Sequence, residues 1–148
     1  MNVNANEWDV ERETVRIRFI GHALESELIG GVVLELKPGH RGPYHLHHGN
    51  EELALVLDGE VTVRGEADER RLGPGELAFF PRGRAGLHAL ENHSEEPARV
   101  LLLSSKVAPD VTERPEEGLV GAFAGDVPTL GRDAPVEHFF PVESSVRG

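Results

Sequence analysis

The chain has no cysteine, which excludes disulfides, thiolate metal sites and cysteine nucleophiles together. Aromatic residues are scarce, at 5%, with one Trp and one Tyr. No apolar run approaches the roughly 18 residues that a membrane-spanning helix needs. Basic residues are outnumbered, 15 against 26 acidic ones, and form no stripe. A net charge of -11 repels polyanions, so neither nucleic acid nor an anionic membrane is expected as a partner. The first residues, MNVNANEWDVERE, lack a basic segment and an apolar core. They do not read as a signal peptide, and the expectation is a cytoplasmic protein.

Glycine and proline, by contrast, are plentiful, with 17 and 10 among 148 residues. They punctuate short apolar runs, as in an all-β chain with tight turns. Val15, Ile17 and Phe19 alternate with Arg16 and Arg18, which predicts a half-buried strand over residues 14–19. Residues 29–36, 52–57, 60–64 and 77–80 read as further strands, with a short one ending at Leu72. The run Val100 to Leu103 fits a strand buried on both faces. Spacings of about ten residues without a long amphipathic helix indicate a sandwich or barrel. The expected organisation is a polar N-terminal arm over 1–13, with Trp8 as a candidate anchor, and a barrel over 14–105. A Pro-rich C-terminal arm follows over 106–148, sparse in regular structure and packed on the barrel or on a neighbouring subunit.

Chemistry concentrates in the stretch Gly39 to Gly59, GHRGPYHLHHGNEELALVLDG. His45 and His47 lie two apart, so an extended strand sends both imidazoles to one face. A chain reversal before Glu52 would bring its carboxylate to face them. Imidazole with carboxylate suits Zn, Fe, Mn or Ni better than Ca or Mg. A His-x-His pair followed by an acid is nevertheless a weak signal by itself.

A second stretch, Gly75 to Asn92, reads GELAFFPRGRAGLHALEN. The pair of stretches resembles the cupin superfamily, whose motifs are G-x5-H-x-H-x3-4-E-x6-G and G-x5-P-x-G-x2-H-x3-N. The first motif matches at Gly39, His45, His47, Glu52 and Gly59, and the second at Gly75, Pro81, Gly83, His88 and Asn92. One departure stands out: four residues, Arg84 to Leu87, occupy the place of two. A longer loop is the expected explanation. The resemblance covers roughly residues 28–105 and is similar to small bacterial conserved-barrel members of one domain.

This resemblance implies a double-stranded β-helix, or jelly-roll barrel, holding one divalent transition metal ion through His45, His47, Glu52 and His88. It does not fix a reaction. A metal-dependent enzyme acting on a small polar molecule, by oxygenase- or isomerase-type chemistry, is the leading expectation, with catalytic residues unassigned. A non-catalytic module that binds a sugar or carboxylate is the alternative. Tyr44, Arg41 and His48 flank the ligands, and Arg82 and Arg84 are candidate receivers of an anionic group. Phe79 and Phe80 read as core, and Asn92 as a turn-holding residue. Leu53, Leu55 and Leu57 face away from Ala54 and Val56, so the strand needs a second cover, either the other sheet or a second subunit, and a homodimer is the expectation.

Overall fold

The computed structural model describes residues 1–124 and 137–141 and is all-β. In chain order the strands are β1 (Val10–Glu11), β2 (Val15–Phe19), β3 (Ile29–Leu36), β4 (Leu46–His47), β5 (Glu52–Asp58), β6 (Val61–Arg64) and β7 (Glu69–Leu72). They continue as β8 (Leu77–Phe80), β9 (Ala89–Glu91), β10 (Ala98–Ser105), β11 (Asp110–Arg114), β12 (Leu119–Phe123) and β13 (Glu137–Pro141). One helical turn, α1 (Ile20–Ala23), interrupts them. Among the described residues no helix is long and apolar enough to cross a membrane.

β10 is the central strand, because its backbone pairs on both edges, with β3 on one side and β5 on the other. The six-stranded sheet runs β1-β2-β3-β10-β5-β8. A three-stranded sheet, β7-β6-β9, and a four-stranded one, β13-β12-β11-β4, complete the jelly roll. Alternation sets which residues face inward. Ala54, Val56, Ala78, Phe80, Ala98, Val100 and Leu36 leave the large sheet toward Val61, Val63, Leu72 and Leu90 of the small one, and together they form the core. Leu53, Leu55 and Leu101 leave the opposite face, in register with Leu77 and Phe79, which are 55% and 53% exposed. Phe79 is therefore not a core residue, whereas Phe80 is: a strand cannot bury two consecutive side chains on one face.

Turns are set by a few residues. Gly59 takes φ 74°, and a Cβ there would lie 2.6 Å from the Pro97 carbonyl oxygen. Only glycine fits that reversal between β5 and β6. Asn92 is completely buried and is spent on backbone: its amide donates to Leu36 and Glu96 carbonyls, and its Oδ1 accepts from the Ser94 amide and hydroxyl. At the N-terminal end, Trp8 lies beneath the Arg99 guanidinium at 5.0 Å, tying the polar arm to β10.

Beyond Lys106 the chain carries more regular structure than its prolines suggest. Pro109 and Pro115 sit just outside β11 rather than within it, and Pro141 closes β13. Proline at a strand boundary forfeits no ladder hydrogen bond, so β11 pairs with β12 and also with β4. Residues 125–136 and 142–148 of the expected arm lie outside the described residues.

Replacing Asn92 with Ala takes the side-chain donor from the buried Leu36 carbonyl and removes the acceptor of the Ser94 amide, so Asn92→Ala is expected to cost about 1–3 kcal/mol in urea unfolding.

Candidate metal centre

Each of the four sequence-selected side chains reaches the interior from a different local device. His45 and His47 share a face across Leu46, which turns into the core, and His45 forms an isolated bridge with His88. Glu52 is the first residue of β5, and it is 8% exposed. His88 follows a 3-10 turn, Arg84–Gly86, which accommodates the two residues by which the second motif is long. Gly86 is indispensable in that turn, since a Cβ would fall 1.8 Å from the Pro81 carbonyl oxygen. Its own carbonyl accepts a 2.8 Å hydrogen bond from His88 Nδ1. The longer loop thus leaves His88 inside, 1% exposed, with its ring stacked on Phe80 at 3.5 Å between centroids.

The rings are held at their far nitrogens. His45 Nδ1 donates to the Pro43 carbonyl at 3.0 Å, and His47 Nδ1 donates to Asp110 Oδ2 at 2.7 Å. With Nδ1 protonated in all three, each neutral ring presents a bare lone pair at Nε2. Those three Nε2 atoms lie 3.5, 3.7 and 3.4 Å from a single oxygen, Glu52 Oε2, for His45, His47 and His88 in turn. These are acceptors aimed at an acceptor. Glu52 Oε2 and His88 Nε2 are fully buried and have no hydrogen-bond partner. A buried polar atom without a partner costs about 1–3 kcal/mol, and a cation at the point of convergence would remove that cost for all of them.

His45, Glu52 and His88 form a group whose ligand atoms lie within 4.8 Å of one another and could hold a metal ion. His47 stands beside that group, in reach of Glu52 but outside the mutual 4.8 Å limit. Titration follows the same geometry. Burial, reinforced by neighbouring His45, pushes the His88 pKa down to about 4. Burial also disfavours a charged His45, but the adjacent Glu52 carboxylate prevails and raises its pKa. Burial would raise Glu52, yet the surrounding imidazoles win and lower it. The two opposite shifts share one cause, the attraction between the Glu52 carboxylate and a charged His45.

Flanking candidates fall elsewhere. Tyr44 hydrogen-bonds the Gly65 carbonyl beneath the Arg64 guanidinium, His48 pairs with Glu113, and exposed Arg84 pairs with Glu66. Arg41 meets Glu91 through its backbone, and Arg82 is exposed. Glu51 is exposed as well, on the opposite side of the chain from Glu52. What the sequence did not single out is β11. Asp110 is 3% exposed and holds both His47 Nδ1 and the Gly49 amide, while Thr112 Oγ1 lies 3.2 Å from His47 Nδ1. A signal was present in the period-two series Asp110, Thr112, Arg114, polar on one strand face.

Comparison with known proteins agrees with this geometry. The Cupin domain family matches residues 32–104. This chain belongs to the cupin superfamily. The tetracenomycin polyketide synthase protein TcmJ of Streptomyces glaucescens is 36% identical over 87 residues, covering 59% of this chain and 54% of that protein. The cupin chain thus spans about half the length of the curated relatives it matches. Among solved structures, a sugar phosphate isomerase of the cupin superfamily from Silicibacter pomeroyi superposes with TM-score 0.74 at 18% identity, covering 89% of this chain and 82% of that one. The polyketide cyclase RemF of Streptomyces resistomycificus superposes with TM-score 0.61 at 20% identity, covering 74% and 81%. At such identities the superpositions bear on the fold alone.

Gly86→Ala should force the turn that carries His88 to move, at a cost of about 1–3 kcal/mol in thermal or urea unfolding.

Proposed function

We propose that this cupin is a metal-dependent enzyme acting on a small polar molecule, with one divalent transition ion held by His45, His47, Glu52 and His88. The observation that carries this reading is the buried Glu52 Oε2, partnerless and ringed by three Nε2 lone pairs. Three nitrogens and one carboxylate suit Zn, Fe, Mn or Ni, and leave an octahedral ion two positions for a substrate. When bound, such an ion supplies Lewis-acid or redox chemistry. The protein's own part is to fix the rings. Pro43, Asp110 and Gly86 each hold one Nδ1, so the donor atoms are aligned before an ion arrives.

Asp110 already accepts hydrogen bonds from His47 and Gly49, so it orients a ligand and is not free to act as a general base. That favours reactions done mainly by the ion, of oxygenase type, over isomerisation with a dedicated base. The relative named for polyketide synthesis supports a small-molecule substrate without choosing between these. The second reading is a binding module that uses the ion to recognise a sugar or carboxylate. Redox-active Fe or Mn in the purified protein favours oxygenation, and Zn favours isomerisation or binding.

Elemental analysis of tag-free protein purified without added metal is expected to find about one ion per chain. His45→Ala and His88→Ala should abolish it, and Asp110→Asn should weaken affinity by roughly 10–100-fold in a competitive zinc titration. Stoichiometric metal in both histidine variants would overturn the assignment.

A homodimer is the matching reading for the outer face on which Leu53, Leu55, Leu77, Phe79 and Leu101 align. Light scattering should return twice the monomer mass, reduced to the monomer by Phe79→Lys with Leu77→Lys.

A further inference from the structure

The metal reading says where an ion would sit but not what a substrate must carry, and β11 bears on that question. In the ladder between β4 and β11, His47 pairs with Thr112 and Leu46 with Glu113. One further antiparallel step puts Arg114 opposite His45, on the face that Asp110 and Thr112 share with the imidazoles. The centre is open on this side. The His45 and His47 side chains are 17% and 23% exposed, whereas those of His88 and Glu52 are 2% and 9%. Arg114 therefore stands at the mouth and not at the back.

The guanidinium is ordered but underused. It lies over the Phe139 ring, 4.2 Å from the centroid, which fixes its plane. Among the described residues it makes no hydrogen bond: Nε is buried without a partner, and Nη1 has one loose ion pair, 3.6 Å from Glu117 Oε2. Arginine carries five N–H donors in a planar fork matched to two-oxygen anions. Two flanking arginines are occupied: Arg64 grips Glu91 and Glu116, and Arg84 grips Glu66.

We propose that Arg114 is the substrate-recognising residue of this centre, and that its substrate carries an oxyanion group, a carboxylate or a phosphate, bound by the guanidinium while a neighbouring oxygen of the same molecule reaches the ion. This rests on the metal-site reading above. It selects anionic oxygen compounds over neutral ones, and it explains how a protein of net charge -11 accepts an anion: a guanidinium held by one loose ion pair borders the centre.

The test is isothermal titration of zinc-loaded protein with glycolate, inorganic phosphate and the neutral glycolamide, on wild type, Arg114→Gln and Arg114→Lys. One of the anions should bind wild type more tightly than glycolamide, which also tells carboxylate from phosphate. Arg114→Gln should weaken that anion by about tenfold or more, and Arg114→Lys, with charge but no fork, should fall between them. Zinc stoichiometry and affinity should stay within about twofold across the three proteins, a split that general unfolding would not produce. If Arg114→Gln fails to fold, the loss in Arg114→Lys carries the test. Equal anion affinity in wild type and the folded variants, or glycolamide binding as tightly as both anions, overturns the proposal while the metal site stands. No zinc bound to wild type overturns both.

Discussion

Four hydrogen-bond acceptors, each offering a lone pair, meet at one point in this protein, and among the described residues nothing supplies the positive charge between them. Glu52 Oε2 is surrounded by the Nε2 atoms of His45, His47 and His88 at 3.4–3.7 Å, with each ring's other nitrogen anchored elsewhere. Such a convergence is unfavourable in a low-dielectric interior. It persists because the surrounding strands are held together by a core that does not depend on it. A proton relieves it weakly, through His45 and Glu52, whose opposite pKa shifts reflect their mutual attraction. A cation that accepts several lone pairs relieves it fully.

The core and the centre are two outputs of the same alternation. Along β5, Glu52, Ala54 and Val56 share a face, so the strand that delivers the carboxylate also packs against Val61 and Val63. Phe80 does likewise, filling the core with one surface and backing the His88 ring with the other. A register slip of one residue would take both away together. Precision at the centre is thus inherited from packing, with Gly59 and Gly86 placed where any side chain would collide with backbone.

Much of this was legible in the residues. Ile29–Leu36 and Leu77–Phe80 were readable to the residue, because short apolar runs end at Pro38-Gly39 in the first case and follow Gly73-Pro74-Gly75 in the second. His45, Glu52 and His88, far apart in sequence, were picked out by spacing and are brought together in space. Other elements left weaker marks. β10 extends through Arg99, Ser104 and Ser105, polar residues that lie in the ladder because its neighbours pair with their backbone. β9 has three residues, too few to show a period. β11 was hidden between Pro109 and Pro115, and with it Asp110, whose role depends on a partner 63 positions earlier. A contact of that range leaves no local pattern to read.

The region matched by the cupin family ends at residue 104, whereas Asp110, Thr112 and Arg114 come from the strand that follows. The donor cluster and the groups that border it therefore belong to separable pieces of polypeptide. Such a division leaves the orientation of the His47 ring to a strand that the matched stretch does not include. A substitution confined to β11 would therefore alter the ring's support without touching the strands that carry the core.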